Sequence, residues 1–131
     1  MAQRVATHLM FTGEASAALA LYASIFPAFR VDHVEKYAQG EMGPEGTVKR
    51  ADATFCGQSI IVIDSPVKHA FTFTPSTSIF VDCESASELD IAFGQLAEQG
   101  QVYMPLGAYG FSRRFGWCSD RFGVSWQLNL P

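Results

Sequence analysis

The order of predicted secondary structure occurs twice along the chain, and this repetition constrains the fold more than any other feature. A short apolar run at residues 7–11 precedes a helix predicted over residues 14–26, where apolar residues recur at the 3.6-residue period. A second apolar run at residues 78–81 precedes a helix predicted over residues 86–99. Three predicted strands follow each helix, so the sequence predicts an α+β fold built from two βαβββ modules.

Turn residues separate the predicted strands and delimit the second helix. The strands that follow the helices are expected at residues 29–37, 47–55, 59–63, 101–106, 112–118 and 124–130. Ser85 and Glu88 have the spacing of a capping box at the start of the second helix. Gly100 stands where a left-handed residue commonly ends a helix.

The two halves can be aligned residue by residue. Placing Leu19 on Leu89 superposes the first strand and helix of each half, whereas the last strands superpose when Gly57 is placed on Gly123. The two offsets differ, so one loop differs in length between the halves. We predict one domain over residues 1–131, with module 1 at about 1–64, a proline-containing connector at 65–75, and module 2 at about 76–131.

The composition fits a folded domain and excludes several classes of protein. Hydrophobic residues make up 48% and charged residues 17% of the chain, which is enough for a packed core. The formal net charge of −4 argues against a nucleic-acid partner, since phosphate backbones are bound by basic surfaces. The longest aliphatic run, residues 60–63, is far shorter than the ~20 residues of a membrane helix, so no membrane partner is expected.

The cysteine pattern bears on the compartment. Cys56, Cys83 and Cys118 are odd in number and form no Cys-x-x-Cys pair. This pattern favours reduced thiols over a disulfide framework. Residues 1–5 show no apolar core of a secretion signal. We therefore predict a cytoplasmic protein.

Several stretches of the chain resemble a known family. They are residues 11–15, 21–27, 71–75, 88–90 and, as the most specific of them, Asp-Arg-Phe-Gly-Val-Ser-Trp-Gln at residues 120–127. They resemble the PhnB-like proteins of the vicinal oxygen chelate (glyoxalase/bleomycin-resistance) superfamily, a branch often labelled the 3-demethylubiquinone-9 3-methyltransferase domain. The resemblance implies two βαβββ modules whose curved mixed sheets surround a cleft, usually within a homodimer.

The resemblance also implies where a metal would bind. Catalytic members of the superfamily hold a divalent metal with one ligand from the first and one from the last strand of each module. Those positions correspond here to His8, Ile61, Ser78 and Gln127. Ile61 has no donor atom, Ser78 is a poor neutral donor, and a carboxylate is missing from the set. We therefore predict no metal site and no cofactor.

The same positions are candidates for binding an organic ligand. Alternation along a strand places Met10 on the face that carries His8. The predicted ligand-binding residues are His8, Met10, Ser59, Ile61, Ser78 and Gln127. His8 also suits acid–base chemistry, because an imidazole titrates near neutral pH. No catalytic residue is assigned.

Two functions remain open at this point. The first is a PhnB-like small-molecule-binding protein of unknown ligand, without an intact metal site. The second is a metal-dependent or metal-free lyase, isomerase or dioxygenase-type enzyme of the same superfamily, with His8 as a candidate acid or base. Methyl transfer is disfavoured, because the chain shows no glycine-rich turn between a parallel strand and a helix with a carboxylate for a ribose.

Overall fold

Each half of the chain forms a βαβββ unit in the computed structural model, which describes residues 1–131. Unit 1 is Met1–Ala70 and unit 2 is Phe71–Pro131. The elements of unit 1 are β1 (Thr7–Phe11), α1 (Ala15–Ile25), β2 (Phe29–Lys36), β3 (Val48–Phe55) and β4 (Gln58–Asp64). The elements of unit 2 are β5 (Ser78–Asp82), α2 (Ala86–Ala97), β6 (Gln101–Tyr109), β7 (Ser112–Ser119) and β8 (Ser125–Leu130).

Both units contain a four-stranded mixed sheet of the same topology. The strand order is β1-β4-β3-β2 in unit 1 and β5-β8-β7-β6 in unit 2. In each sheet the first strand runs parallel to the last, and the other neighbours are antiparallel. The predicted α+β class with two βαβββ modules is thereby confirmed.

The helix of each unit packs on one face of its own sheet. Helix α1 buries Ala18, Leu19 and Tyr22, and the Tyr22 ring contacts Phe29 at a centroid distance of 5.6 Å. Helix α2 buries Leu89, Phe93 and other apolar residues in the same way. Burial of this apolar stripe is the main force that holds each helix to its sheet. The opposite face of each sheet, which we call the open face, carries the candidate site residues.

A buried carboxylate supplies the acceptor at the start of α1. Glu14 occupies the N-cap position but makes no side-chain capping bond. Instead the Ala15 N–H donates to Asp64 Oδ1 at 3.0 Å, and the Val48 N–H donates to Asp64 Oδ2 at 2.9 Å. Asp64 therefore ties the helix N-terminus and the start of β3 to the end of β4, and the positive end of the helix dipole favours its charge.

The structure corrects the predicted end of β6 and the predicted left-handed residue after α2. Strand β6 continues to Tyr109, whereas the sequence predicts its end at residue 106, because its pairing with β7 tolerates register shifts near Met104 and Gly107. Helix α2 is capped at Ser85 as predicted, and the Ser85 hydroxyl accepts from the Glu88 N–H at 3.1 Å. The left-handed residue after α2 is Gln99, with φ 61°, and not Gly100 as predicted.

The three cysteines are unpaired, and two of them are buried. Cys83 is 3% exposed and Cys118 is 0% exposed, whereas Cys56 is exposed. Burial, with a smaller effect of neighbouring carboxylates, raises the pKa of each buried thiol to about 12. Both thiols are therefore protonated at neutral pH.

We expect one fast-reacting thiol in the folded protein. A thiol reagent such as Ellman's reagent at pH 8 should modify Cys56 within minutes. It should modify Cys83 and Cys118 only after denaturation, because a buried neutral thiol is a poor nucleophile. Counting released thionitrobenzoate with and without guanidinium measures this. Cys56→Ser should leave no fast phase; a fast phase that persists in this variant would contradict the burial of the other two thiols.

Candidate functional site

Four of the six predicted ligand-binding residues lie on the open face of unit 1. His8 in β1 is the direct cross-strand neighbour of Ile61 in β4, and Met10 is the neighbour of Ile63. Ser59 lies beside Thr54 on the same face. His8 is exposed, whereas Met10, Ser59 and Ile61 are partly exposed. Alternation in β1 and β4 therefore brings these four side chains onto one surface, as predicted from the parity of His8 and Met10.

His8 has no carboxylate beside it on this surface. Ile61 separates it from Asp52, which lies two strands away and so at roughly 10 Å by strand spacing. Asp52 is bound by Arg50 at 3.0 Å and by Arg4 at 3.5 Å. The hydrogen bond from Arg50, aided by the charges of both arginines, holds the pKa of Asp52 below its usual range. Asp52 therefore stays ionised and engaged, so it is not placed to orient or charge His8.

The open face of unit 2 has a different chemistry, which is organised in three cross-strand rows. The first row is Ser78, Ser125 and Ser119, the second is Phe80, Gln127 and Trp117, and the third is Asp82, Asn129 and Phe115, each read from β5 through β8 to β7. The first row is uncharged and polar. The second places the Gln127 amide between two aromatic neighbours. The only carboxylate of the three rows is in the third, where Asp82 accepts from the Asn129 amide at 2.8 Å.

Hydrogen bonds link the first two rows into one network. Gln127 Nε2 donates to Ser78 Oγ at 3.2 Å, and the hydroxyls of Ser78 and Ser125 are 2.6 Å apart. Trp117 Nε1 donates to Ser125 Oγ at 2.9 Å. Ser125 is 1% exposed, so the network rests on a buried hydroxyl, while Gln127 and Ser78 remain partly exposed. Such a network fixes the orientation of the amide that solvent can reach.

Aromatic rings surround the network. The Phe80 side chain is 55% exposed, and its ring lies 6.4 Å from that of Phe115. The Trp117 ring lies 5.0 Å from that of Tyr103, whose hydroxyl donates to Ser119 Oγ at 3.1 Å. An exposed phenyl ring and a partly exposed indole beside an oriented amide form a surface suited to a planar organic molecule.

The register of β5 on β8 differs from the one that the alignment of the two halves implies. That alignment makes Ser78 and Gln127 the counterparts of His8 and Ile61, which are direct neighbours. In unit 2 the strand partner of Ser78 is Ser125, and the partner of Gln127 is Phe80. The pairing is thus displaced by two residues, which keeps every side chain on its predicted face. Ser78 and Gln127 nevertheless meet, through the diagonal hydrogen bond between their side chains.

The donor set does not fit a tightly bound divalent metal. Within each unit, no group of three or more His, Cys, Asp or Glu side chains is placed to hold a metal ion. The positions expected from the resemblance offer an imidazole, a hydroxyl and an amide, and the amide nitrogen is engaged with that hydroxyl. A divalent metal site of this kind requires three or four donor atoms, including a carboxylate oxygen.

The segment 120–127 has both structural and surface roles. Asp120 is 3% exposed and accepts from the Phe122 and Val124 N–H groups and from Trp126 Nε1. Gly123 has φ 93°, a conformation that favours glycine. Trp126 is fully buried, and the alternation of β8 then directs its neighbours Ser125 and Gln127 to the open face. The turn therefore sets the position of the network.

The duplicated βαβββ topology defines the chain as a protein of the glyoxalase/bleomycin-resistance fold. A solved glyoxylase/bleomycin resistance protein/dioxygenase domain from Frankia sp. EAN1pec shares this fold, with a TM-score of 0.68 and 15% identity over 99% of this chain and 98% of that one. The sequence model of the 3-demethylubiquinone-9 3-methyltransferase family matches residues 3–129. The chain belongs to this family, whose members include PhnB-like proteins.

Two relatives are similar over nearly their whole length. A PhnB protein from Bacillus cereus is 46% identical, with a TM-score of 0.94, over 98% of this chain and all of that one. Protein YjdN of Escherichia coli is 24% identical over 94% of this chain and 92% of its own length.

Neither α1 nor α2 is long and apolar enough to cross a membrane.

Proposed function

We propose that this chain is a PhnB-like protein that binds a small organic molecule without a resident metal. The observation that carries the proposal is the open face of unit 2, where the Gln127 amide is oriented by a buried serine network between Phe80 and Trp117. Binding sites for small molecules combine apolar surface with a few well-placed polar groups, which is the chemistry of this face. Of the predicted residues, Ser78 and Gln127 have the central role.

The open face of unit 1 is a second candidate surface for contact with a small molecule. Ile61 and Met10 offer partly exposed apolar surface, and the exposed His8 imidazole makes no hydrogen bond within the chain. A side chain without internal partners can donate to a ligand or accept from it without first breaking a bond. We assign His8, Met10, Ser59 and Ile61 to ligand contact and none of them to catalysis.

Methyl transfer, the activity in the family description, does not fit the strand-to-helix turns of this chain. A nucleotide-type cofactor is usually held by a glycine-rich turn between a parallel strand and a helix. In unit 1 the turn from β1 to α1 contains one glycine, Gly13, and in unit 2 the turn from β5 to α2, residues 83–85, contains none. Neither turn has the glycines that would let the backbone approach such a cofactor closely. We therefore do not propose methyl transfer.

Thermal unfolding separates a metal-free binding site from a metal-dependent enzyme. We expect members of a library of planar organic molecules to raise the midpoint by several degrees, because a ligand at 100 times its Kd adds about 2.7 kcal/mol of stability. Zn²⁺, Ni²⁺, Mn²⁺ and Fe²⁺ at micromolar concentration should not raise it, since no carboxylate-bearing donor set exists. Gln127→Leu should reduce the effect of the organic molecules.

A metal-dependent enzyme would give the opposite result in the same experiment. Stabilisation by one equivalent of a metal, lost in His8→Ala and kept in His33→Ala, would contradict the proposal. His33 is the matched control because it is an exposed histidine in the edge strand β2 of the same sheet.

We also propose that the protein is a homodimer in the cytoplasm. A homodimer is what the family resemblance implies, and sedimentation at twice the 14.3 kDa chain mass would support it. The three unpaired cysteines favour the cytoplasm, where thiols stay reduced.

A further inference from the structure

We infer that the molecule bound on the open face of unit 2 is an uncharged planar ring with an N–H group next to a carbonyl, as in a cyclic amide. This inference rests on the proposed function and specifies the class of ligand. It follows from the hydrogen-bonding capacity that the network formed by Ser78, Ser125, Gln127 and Trp117 leaves unused.

Counting hydrogens in the network shows which groups face outward. Trp117 Nε1 can only donate, so Ser125 Oγ accepts from it, and Ser78 Oγ accepts from Gln127 Nε2. A single hydrogen lies between the two hydroxyl oxygens, which are 2.6 Å apart. One serine therefore keeps a hydrogen that no group in this network accepts.

Burial decides which serine keeps it. If Ser78 donated to Ser125, the spare hydrogen would belong to Ser125, which is 1% exposed, and an unpaired buried donor costs free energy. If Ser125 donates to Ser78, the spare hydrogen belongs to Ser78, which solvent reaches. The second arrangement avoids the cost. The Ser78 hydroxyl is then an outward donor.

The outward acceptor lies beside this donor. Because Gln127 Nε2 is directed at Ser78, the carbonyl oxygen of the same amide, Oε1, is directed away from it and makes no hydrogen bond within the chain. The face thus presents an O–H donor and a C=O acceptor on adjacent strands. A ligand edge that matches them has an acceptor next to a donor, which is the arrangement of a carbonyl and an N–H in a cyclic amide.

The surroundings favour a flat and uncharged ring. Phe80 and Trp117 flank Gln127 in the same row, so a ring that bonds to the amide can also contact aromatic surface. The first two rows contain no ionisable group that could pair with a charged ligand. Asp82, in the third row, already accepts from Asn129, and Arg113 beyond it donates to the Pro131 carbonyl at 2.9 Å.

Three related rings test the inference. Binding of 2-quinolone, N-methyl-2-quinolone and quinoline to the full chain is measured by isothermal titration and by saturation-transfer NMR. We expect 2-quinolone to bind about tenfold more tightly than either analogue. N-methyl-2-quinolone lacks the N–H donor, and quinoline lacks the N–H and the carbonyl and has only a ring nitrogen that accepts. Gln127→Leu should remove this preference, and Gln95→Leu, an exposed glutamine in α2, should keep it.

The outcomes separate this inference from the proposed function. Equal affinity for the three rings, with loss of binding in Gln127→Leu, would overturn the cyclic-amide inference and leave the small-molecule site standing. No binding by any of the three would also overturn it, while the wider organic library independently tests the site. A preference for 2-quinolone that survives in Gln127→Leu would overturn the assignment to this network, and Ser78→Ala would confirm that result if it too kept the preference.

Discussion

Replacing Asp120 with Ala is expected to lower the free energy of unfolding by about 3–5 kcal/mol, a large share of the roughly 5–15 kcal/mol typical of a domain. The carboxylate is 3% exposed and accepts from the Phe122 N–H at 2.9 Å, the Val124 N–H at 3.1 Å and Trp126 Nε1 at 2.9 Å. Alanine leaves three donors without this acceptor, and the fully buried indole has least access to water.

Denaturant unfolding followed by circular dichroism measures the loss. Asp120→Asn should cost less, about 1–3 kcal/mol, because its amide oxygen can still accept from the two backbone N–H groups that bond to Oδ1. Asp52→Ala is the control, since its ion pairs with Arg50 and Arg4 lie at the surface and should contribute about 1 kcal/mol or less. Equal losses at Asp120 and Asp52 would contradict a structural role for the buried carboxylate.

The Asp120→Asn variant also bears on ligand binding. Asp120 does not belong to the open-face network, but its turn leads directly into β8, which carries Ser125 and Gln127. We expect Asp120→Asn to weaken ligand binding only by displacing β8 and, with it, Ser125 and Gln127. The most specific stretch of the family resemblance therefore combines residues that shape a turn with residues that face a ligand.

Local patterns predicted most of the fold. Helices α1 and α2 follow from apolar periodicity, and the predicted first strand has the observed bounds, residues 7–11. Gly57 and Gly123, aligned as equivalent turn residues, both have left-handed φ values, 84° and 93°. In each case the information lies within a few residues of the element that it specifies.

Contacts between distant residues could not be predicted in this way. Asp64 accepts from the first N–H of α1 across a separation of 49 residues, and no local pattern marks it as a helix cap. The register of β5 on β8 differs by two residues from that inferred by aligning the halves, since a two-residue shift preserves the alternation of faces. Only the packing of the whole sheet selects between the two registers.

Some residues of the candidate site could be predicted from the sequence, and one could not. Parity placed His8 and Met10 on one face, and the resemblance singled out Ser78 and Gln127, which the structure joins by a hydrogen bond. The buried Ser125 was not predicted as part of the site, because its role depends on the register with Ser78 and on the reach of Trp117 across the strands. A serine followed two residues later by glutamine in a last strand is the signal that could have indicated it.

Two glycines near the end of α2 are expected to respond to alanine with opposite signs. A Cβ at Gly100 would collide with the backbone carbonyl oxygen of Ser119, which pairs with Gln101 at the start of β6. Backbone cannot rotate away as a flexible side chain can, so Gly100→Ala should destabilise the protein by about 3 kcal/mol. The glycine predicted as a left-handed cap is thus required for a close approach of two chain segments.

Gly94 is the matched control for this substitution. It lies within α2, is exposed, and a Cβ there would meet no atom within 4 Å. Gly94→Ala should therefore stabilise the protein by about 0.5–1 kcal/mol, because alanine favours the helix and restricts the unfolded chain. Melting temperatures of the two variants, measured in one buffer, should shift in opposite directions. A harmless Gly100→Ala would contradict the close approach of Gly100 to the backbone carbonyl of Ser119.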